Sequence, residues 1–153
     1  NLEILLGKLL PMGAMFAFDV VVMMVVAGLA FGVWPKGSAV FFVAVSSFYV
    51  LTSLAMGLYF SASSATAAEA VQKTVLASIP LVQISGFAFP PRNFPWLVGW
   101  LAELLPATHY IRVSRAIYLR GAGPLELLPE LGLLLFFGGL LVAVALRSLA
   151  RRR

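Results

Sequence analysis

The chain has 153 residues, of which 61% are hydrophobic and 11% charged, and its mean hydropathy is +1.00. Such an apolar composition excludes an ordinary soluble domain and points to a membrane protein. The net charge of +5 is not laid out as a nucleic-acid patch, since four of the eleven basic residues, Arg147 and Arg151 to Arg153, fall in the last seven positions. Cysteine is absent, which removes disulfide and thiolate chemistry.

Residues 1–8 read as an amphipathic lead-in. Leu2, Leu5, Leu6 and Leu9 recur at i, i+3, i+4 and i+7, with Glu3 and Lys8 off that face. The start lacks a signal-peptide pattern, and the chain is expected to be part of a longer membrane protein. Residues 9–34 hold one ionisable group, Asp19, and exceed the roughly 30 Å of a hydrocarbon core at about 1.5 Å per residue. After a turn at Pro35 to Ser38, residues 39–60 are uncharged and long enough to return. These two runs predict an antiparallel pair of spanning helices.

Thr66 and Glu69 fit a capping box, so a third helix is expected over 67–89, kinked at Pro80. Pro90, Pro91 and Pro95 forbid its continuation. Within residues 90–121, the pieces 96–105 and 108–119 are each too short to cross, which predicts a re-entrant outer hairpin of two helices. Trp96 and Trp100 share a face suited to the bilayer interface, and His109, Arg112 and Arg115 share a polar stripe. A last helix is expected over 125–147, with Glu126 and Glu130 near its start and Arg147 at its end, as the helix dipole favours. The basic tail at 148–153 reads as a cytoplasmic flank, which places both ends inside and the hairpin outside. Arg92, Arg112, Arg115 and Arg120 in the outer segment run against that bias. The expected fold is all-α and polytopic, with four spanning helices and a two-helix outer hairpin between the third and fourth.

Each candidate residue has a plain structural reading as well. Asp19 is costly at membrane depth and calls for a partner, water or cargo. Met15 and Met23 join it as pathway candidates, although methionines on a spanning helix more often face lipid or pack between helices. His109, Arg112 and Arg115 could meet an anionic headgroup; equally, they form the wet face of an interfacial helix, with Arg115 paired to Glu103. Gly138 and Gly139 suit close helix packing. One histidine, no cysteine, and no H-E-x-x-H, G-x-S-x-G or Walker A pattern leave no basis for catalysis by this chain.

Ser85-Gly86-Phe87, Phe89-Pro90, Phe94-Pro95, Leu105-Pro106-Ala107-Thr108-His109-Tyr110, Arg115 and Gly121 together form a pattern that resembles the type-2 ABC exporter permeases, the membrane subunits of ATP-driven exporters. The opening Leu2-Glu3-Ile4-Leu5-Leu6-Gly7-Lys8-Leu9-Leu10-Pro11 is similar to the cytoplasmic approach to that family's third helix. The resemblance implies helices three to six of six, a dimer with a second copy or homologue, lipid around it, and short re-entrant helices outside. It also implies that Leu2, Glu3, Leu5, Leu6, Gly7 and Lys8 belong to the region that couples to a partner ATPase. Gly86, Pro90, Pro95, Pro106, His109, Arg112, Arg115 and Gly121 would shape the outer hairpin. ATP and Mg would then be bound by the ATPase, with no cofactor held by this chain. The expected function is export of a hydrophobic or amphipathic substrate; the alternative is a membrane anchor or assembly scaffold that transports nothing. A channel would need more lining polarity than Asp19, Ser46, Ser47, Thr52 and Ser53 provide.

Overall fold

The computed structural model describes residues 2–150, excluding the side chains of Leu2, Ile4, Leu5, Leu6, Lys8, Leu9, Pro91, Leu149 and Ala150. The leucine face and Lys8 of the proposed coupling segment, and the tail arginines 151–153, therefore lie outside the described residues. The described residues form α1 (Leu2–Phe31), α2 (Ala39–Ala62), α3 (Ala67–Ile84), a 3-10 turn (Pro91–Asn93), α4 (Trp96–Glu103), α5 (Pro106–Arg115) running into a π turn (Ala116–Arg120), and α6 (Leu128–Ala150). No strand occurs among them.

The expected lead-in and first span are one continuous helix, α1, with Pro11 inside it. It stops at Phe31, three residues before the expected end, because Gly32 adopts φ +67°. Gly32 N donates to Gly28 O at 3.0 Å, the single bond of an αL cap, and Val33 N donates to Ala27 O at 3.3 Å. Ser38 then caps α2 by accepting from Phe41 N at 3.3 Å. Along α2, Ser47, Thr52 and Ser53 return their hydroxyls to the carbonyls of Val43, Phe48 and Tyr49, at 2.7, 3.1 and 3.1 Å. These groups are satisfied within the helix, which removes them as evidence of a polar pore.

At the opposite end of α2 the expected cap forms, with Glu69 N donating to Thr66 Oγ1 at 3.2 Å. Glu69 Oε2 reaches back to Ala65 N at 2.8 Å, and Lys73 joins Glu69 at 2.7 Å. Helix α3 ends at Ile84 rather than 89, since Gly86 takes φ +84° ahead of the prolines. Its 18 residues amount to about 27 Å, and none is buried. Among the described residues, three helices are long and apolar enough to cross a membrane, over Leu10–Phe31, Ala39–Ala62 and Leu128–Ser148; α3 is not one of them. Helix α6 begins at Leu128 instead of 125, with Pro129 in its first turn, where a missing N–H does no harm.

Helix α2 is the centre of the bundle and packs against α1, α5 and α6. Its Val45 meets Val113, Ala116 and Ile117 of the hairpin and Leu134 of α6 in one apolar core, flanked by Phe41, Phe48 and Leu131. Further along, Gly138 lets α6 approach α2, because a Cβ there would sit 2.9 Å from Thr52 Oγ1 and 3.0 Å from Phe48 Cε1. Gly139 faces open space.

Candidate functional site

The hairpin is built into the bundle from both of its ends. Pro95 precedes α4 and its carbonyl accepts from Gly99 N at 3.0 Å; Pro106 is the buried first residue of α5, entered through extended Leu105. Pro90 O accepts from Asn93 N at 3.1 Å and closes the turn between α3 and α4. At the far end Gly121 takes φ +71°, and a Cβ there would lie 3.1 Å from Lys36 O. Lys36 N donates to Tyr118 O at 3.2 Å, Gly37 N to Ile117 O at 3.1 Å, and Tyr118 OH to Val33 O at 3.2 Å. The α1–α2 turn and the end of the hairpin are thus stitched together.

The polar stripe divides three ways. His109 is fully buried, not wet: Nδ1 lies 2.7 Å from Glu130 Oε2, Nε2 lies 2.8 Å from the Glu103 carbonyl, and the ring stacks on Phe137. Both ring nitrogens face oxygen, so the site holds either two ring N–H groups or a proton on the Glu130 carboxyl. Arg112 forks onto Glu103, with Nη1 2.9 Å from Oε2 and Nη2 on Oε1, and Nη1 also reaches Glu130 Oε1 at 3.4 Å. The expected Arg115–Glu103 pair is therefore replaced by Arg112–Glu103. Arg115 lies three residues, about 4.5 Å, further along α5, and its Nη2 donates to Gly86 O and Phe87 O, both at 3.3 Å. One arginine ties α4 to α5, and the next ties α5 to the end of α3.

The Arg112 hydrogen bonds, reinforced by its charge and opposed by partial desolvation, hold the Glu103 carboxyl below its ordinary value of 4.5. Glu103 in turn raises the Arg112 guanidinium further. Sequence reasoning placed Glu130 only as a dipole partner of its own helix. Its contacts with His109 and Arg112 join residues 21 and 18 positions apart, which no local spacing could announce.

Asp19 and Met23 line a cavity of about 340 Å³ with Phe16, Val20 and Met24 of α1, Phe42 and Val50 of α2, and Tyr110 and Tyr118 of the hairpin. Met15 does not line it and is 71% exposed on another face of α1. A larger depression of about 570 Å³ is walled by α3 alone, from Ala67 to Leu76, so it is an open helix flank and not an enclosed site. In the lead-in, Glu3 is exposed and Gly7 has nothing within 4 Å of its would-be Cβ.

The family model described as ABC-2 family transporter protein matches residues 1–147. The chain belongs to the ABC-2 transporter family. Among its curated relatives, the Probable multidrug ABC transporter permease YbhS of Escherichia coli (strain K12) is 28% identical over 126 residues, covering 82% of this chain and 33% of the relative. The Inner membrane transport permease YhhJ of the same organism is 26% identical over 152 residues, covering 94% of this chain and 39% of the relative. ABC transporter G family member 20 of Dictyostelium discoideum is 32% identical over 124 residues, covering 79% and 17%. The chain thus spans about a third of the length of the bacterial relatives. No solved structure matches it significantly. Membership and the three long apolar helices make this a multi-pass membrane chain of the type-2 ABC permease class.

Proposed function

We propose that the chain is the membrane-spanning part of an ATP-driven exporter that moves a hydrophobic or amphipathic substrate out of the cell. The observation that carries this reading is the hairpin: α4 and α5 are fastened to α2, α3, α6 and the α1–α2 turn, where they close one end of the bundle. A membrane anchor has no need of such a closure, whereas a transport pathway needs its exit capped. The printed names of the E. coli relatives, a multidrug permease and an inner-membrane transport permease, support the same reading.

In this reading the chain lies in the inner membrane with both ends cytoplasmic, and the hairpin faces outside. The geometry supports a fourth crossing despite the shortness of α3. Its start adjoins the turn after α2, and its end is held by Arg115 at the hairpin, at the other end of α2. The segment from Leu2 to Lys8, of which Glu3 and Gly7 are exposed, then receives motion from a partner ATPase, which binds ATP and Mg. A second permease copy or homologue completes the pathway, and its surface accounts for part of α1, where 6% of the span is buried.

The test is copurification of the full-length protein in mild detergent. A stoichiometric ATPase, whose hydrolysis changes when Glu3 is replaced by Lys, is the expected result. Absence of any ATPase, bound or fused, returns the chain to the anchor reading.

A further inference from the structure

We propose that the cavity around Asp19 is a binding site for a monovalent, lipophilic organic cation; the inference rests on the exporter reading and names its substrate class. Asp19 lies about 13 Å along α1 from Leu10 and about 18 Å from Phe31, so it sits well inside the span. A carboxylate at that depth costs a few kcal/mol unless something answers it. Nothing among the described residues does: every carboxylate contact there is made by Glu69, Glu103 or Glu130.

The rest of the cavity selects what can answer it. Among the described residues no lysine, arginine, histidine, asparagine or glutamine lines it, so an anion finds no charged or amide donor there. Both tyrosine hydroxyls are already engaged, Tyr110 with Ser46 Oγ at 3.0 Å and Tyr118 with Val33 O at 3.2 Å. Their rings are held in place as well, Tyr110 stacked 4.2 Å from Tyr49 and Tyr118 edge-on to Phe42 at 5.3 Å. The walls therefore offer ring surfaces and methionine sulfur around one negative charge. That combination attracts a cation electrostatically and by cation–π contact, while the aromatic and methionine walls take an apolar body. A single carboxylate, beside two tyrosine hydroxyls already engaged, cannot supply the six or more oxygens that Ca²⁺ or Mg²⁺ requires. The volume of about 340 Å³ suits a compact drug-sized molecule.

The site also joins cargo to the cap. Tyr110 lies one residue from His109 and two from Arg112, on the helix that closes the bundle, and Tyr118 is hydrogen-bonded to the α1–α2 turn. An occupant between Asp19 and these rings touches both the first spanning helix and the hairpin.

The experiment measures binding of labelled tetraphenylphosphonium to the full-length transporter in detergent, copurified with its ATPase. Saturable binding is expected, displaced by unlabelled tetraphenylphosphonium but at least about tenfold less well by neutral triphenylphosphine oxide, a charge selectivity of about 1.4 kcal/mol. Asp19→Asn should weaken binding about tenfold or more, and Asp19→Glu should restore it to within about threefold. Met23→Trp, at an exposed position of the wall, should block binding with the protein still monodisperse and assembled. Equal binding by wild type and Asp19→Asn, or equal displacement by the neutral compound, overturns the proposal. A copurifying, active ATPase without charge-selective binding removes this site and leaves the exporter reading standing. Charge-selective, Asp19-dependent binding in a protein without any ATPase keeps the site and removes the exporter reading.

Discussion

The hairpin and the first helix handle charge in an apolar setting in opposite ways. Around α5, Glu103, His109, Arg112 and Glu130 come from three helices and satisfy one another, with the imidazole fully buried at the centre. On α1 the carboxylate of Asp19 faces a cavity with no partner among the described residues, on a helix whose span is 6% buried. Polar groups that are mutually satisfied define a structural joint. A polar group left open within an apolar span marks the place where the proposed cation would bind.

Substitution can sharpen that contrast. The largest effect is expected at His109→Ala, which leaves the Glu103 carbonyl and a Glu130 oxygen without their partner and opens space beside Phe137. A loss of about 3 kcal/mol is expected, read as a lower Tm of the detergent-purified protein. A Tm within error of wild type would show that the joint is not structural.

The Arg112–Glu103 fork should matter less, because both side chains are more than a third exposed. Glu103→Gln is expected to cost about 1 kcal/mol or less. Since the folded-state carboxyl is held below its ordinary value, its contribution is present above that value and lost as pH falls through the lowered one. The Tm of wild type should therefore fall more steeply than that of Glu103→Gln below about pH 4. Parallel curves would assign the acid sensitivity to other carboxylates.

The smallest effect on stability is expected at Asp19→Asn. No hydrogen bond or ion pair with a described residue is lost, so Tm should stay the same or rise. A marked destabilisation would place Asp19 with the structural groups and erase the contrast between the two regions.

Much of the architecture was legible because the bilayer imposes simple rules. Residues 9–34 and 39–60 announce their helices by length and lack of charge, and Pro90, Pro91 and Pro95 announce the break. Helix ends were less legible. Gly32 and Gly86 end α1 and α3 earlier than hydropathy suggests, because a left-handed glycine terminates a helix regardless of how apolar the following residues are. The site was legible in its members but not in its pairings. Asp19, His109 and Arg112 stand out as polar residues in an apolar chain, yet Arg115 was matched to Glu103 where Arg112 takes that place.

By itself, then, the sequence determined an all-helical membrane chain, its turns, and the few ionisable residues that needed explanation. Those properties follow from local composition and from backbone chemistry that each segment carries alone. Only the tertiary structure decided that His109 is a buried link between α4 and α6, that Tyr110 and Tyr118 face Asp19, and that Met15 does not. Such assignments depend on which face of one helix meets which face of another. That choice is made by the packing of Val45, Val113, Ile117 and Leu134, whose contacts join segments far apart in the chain.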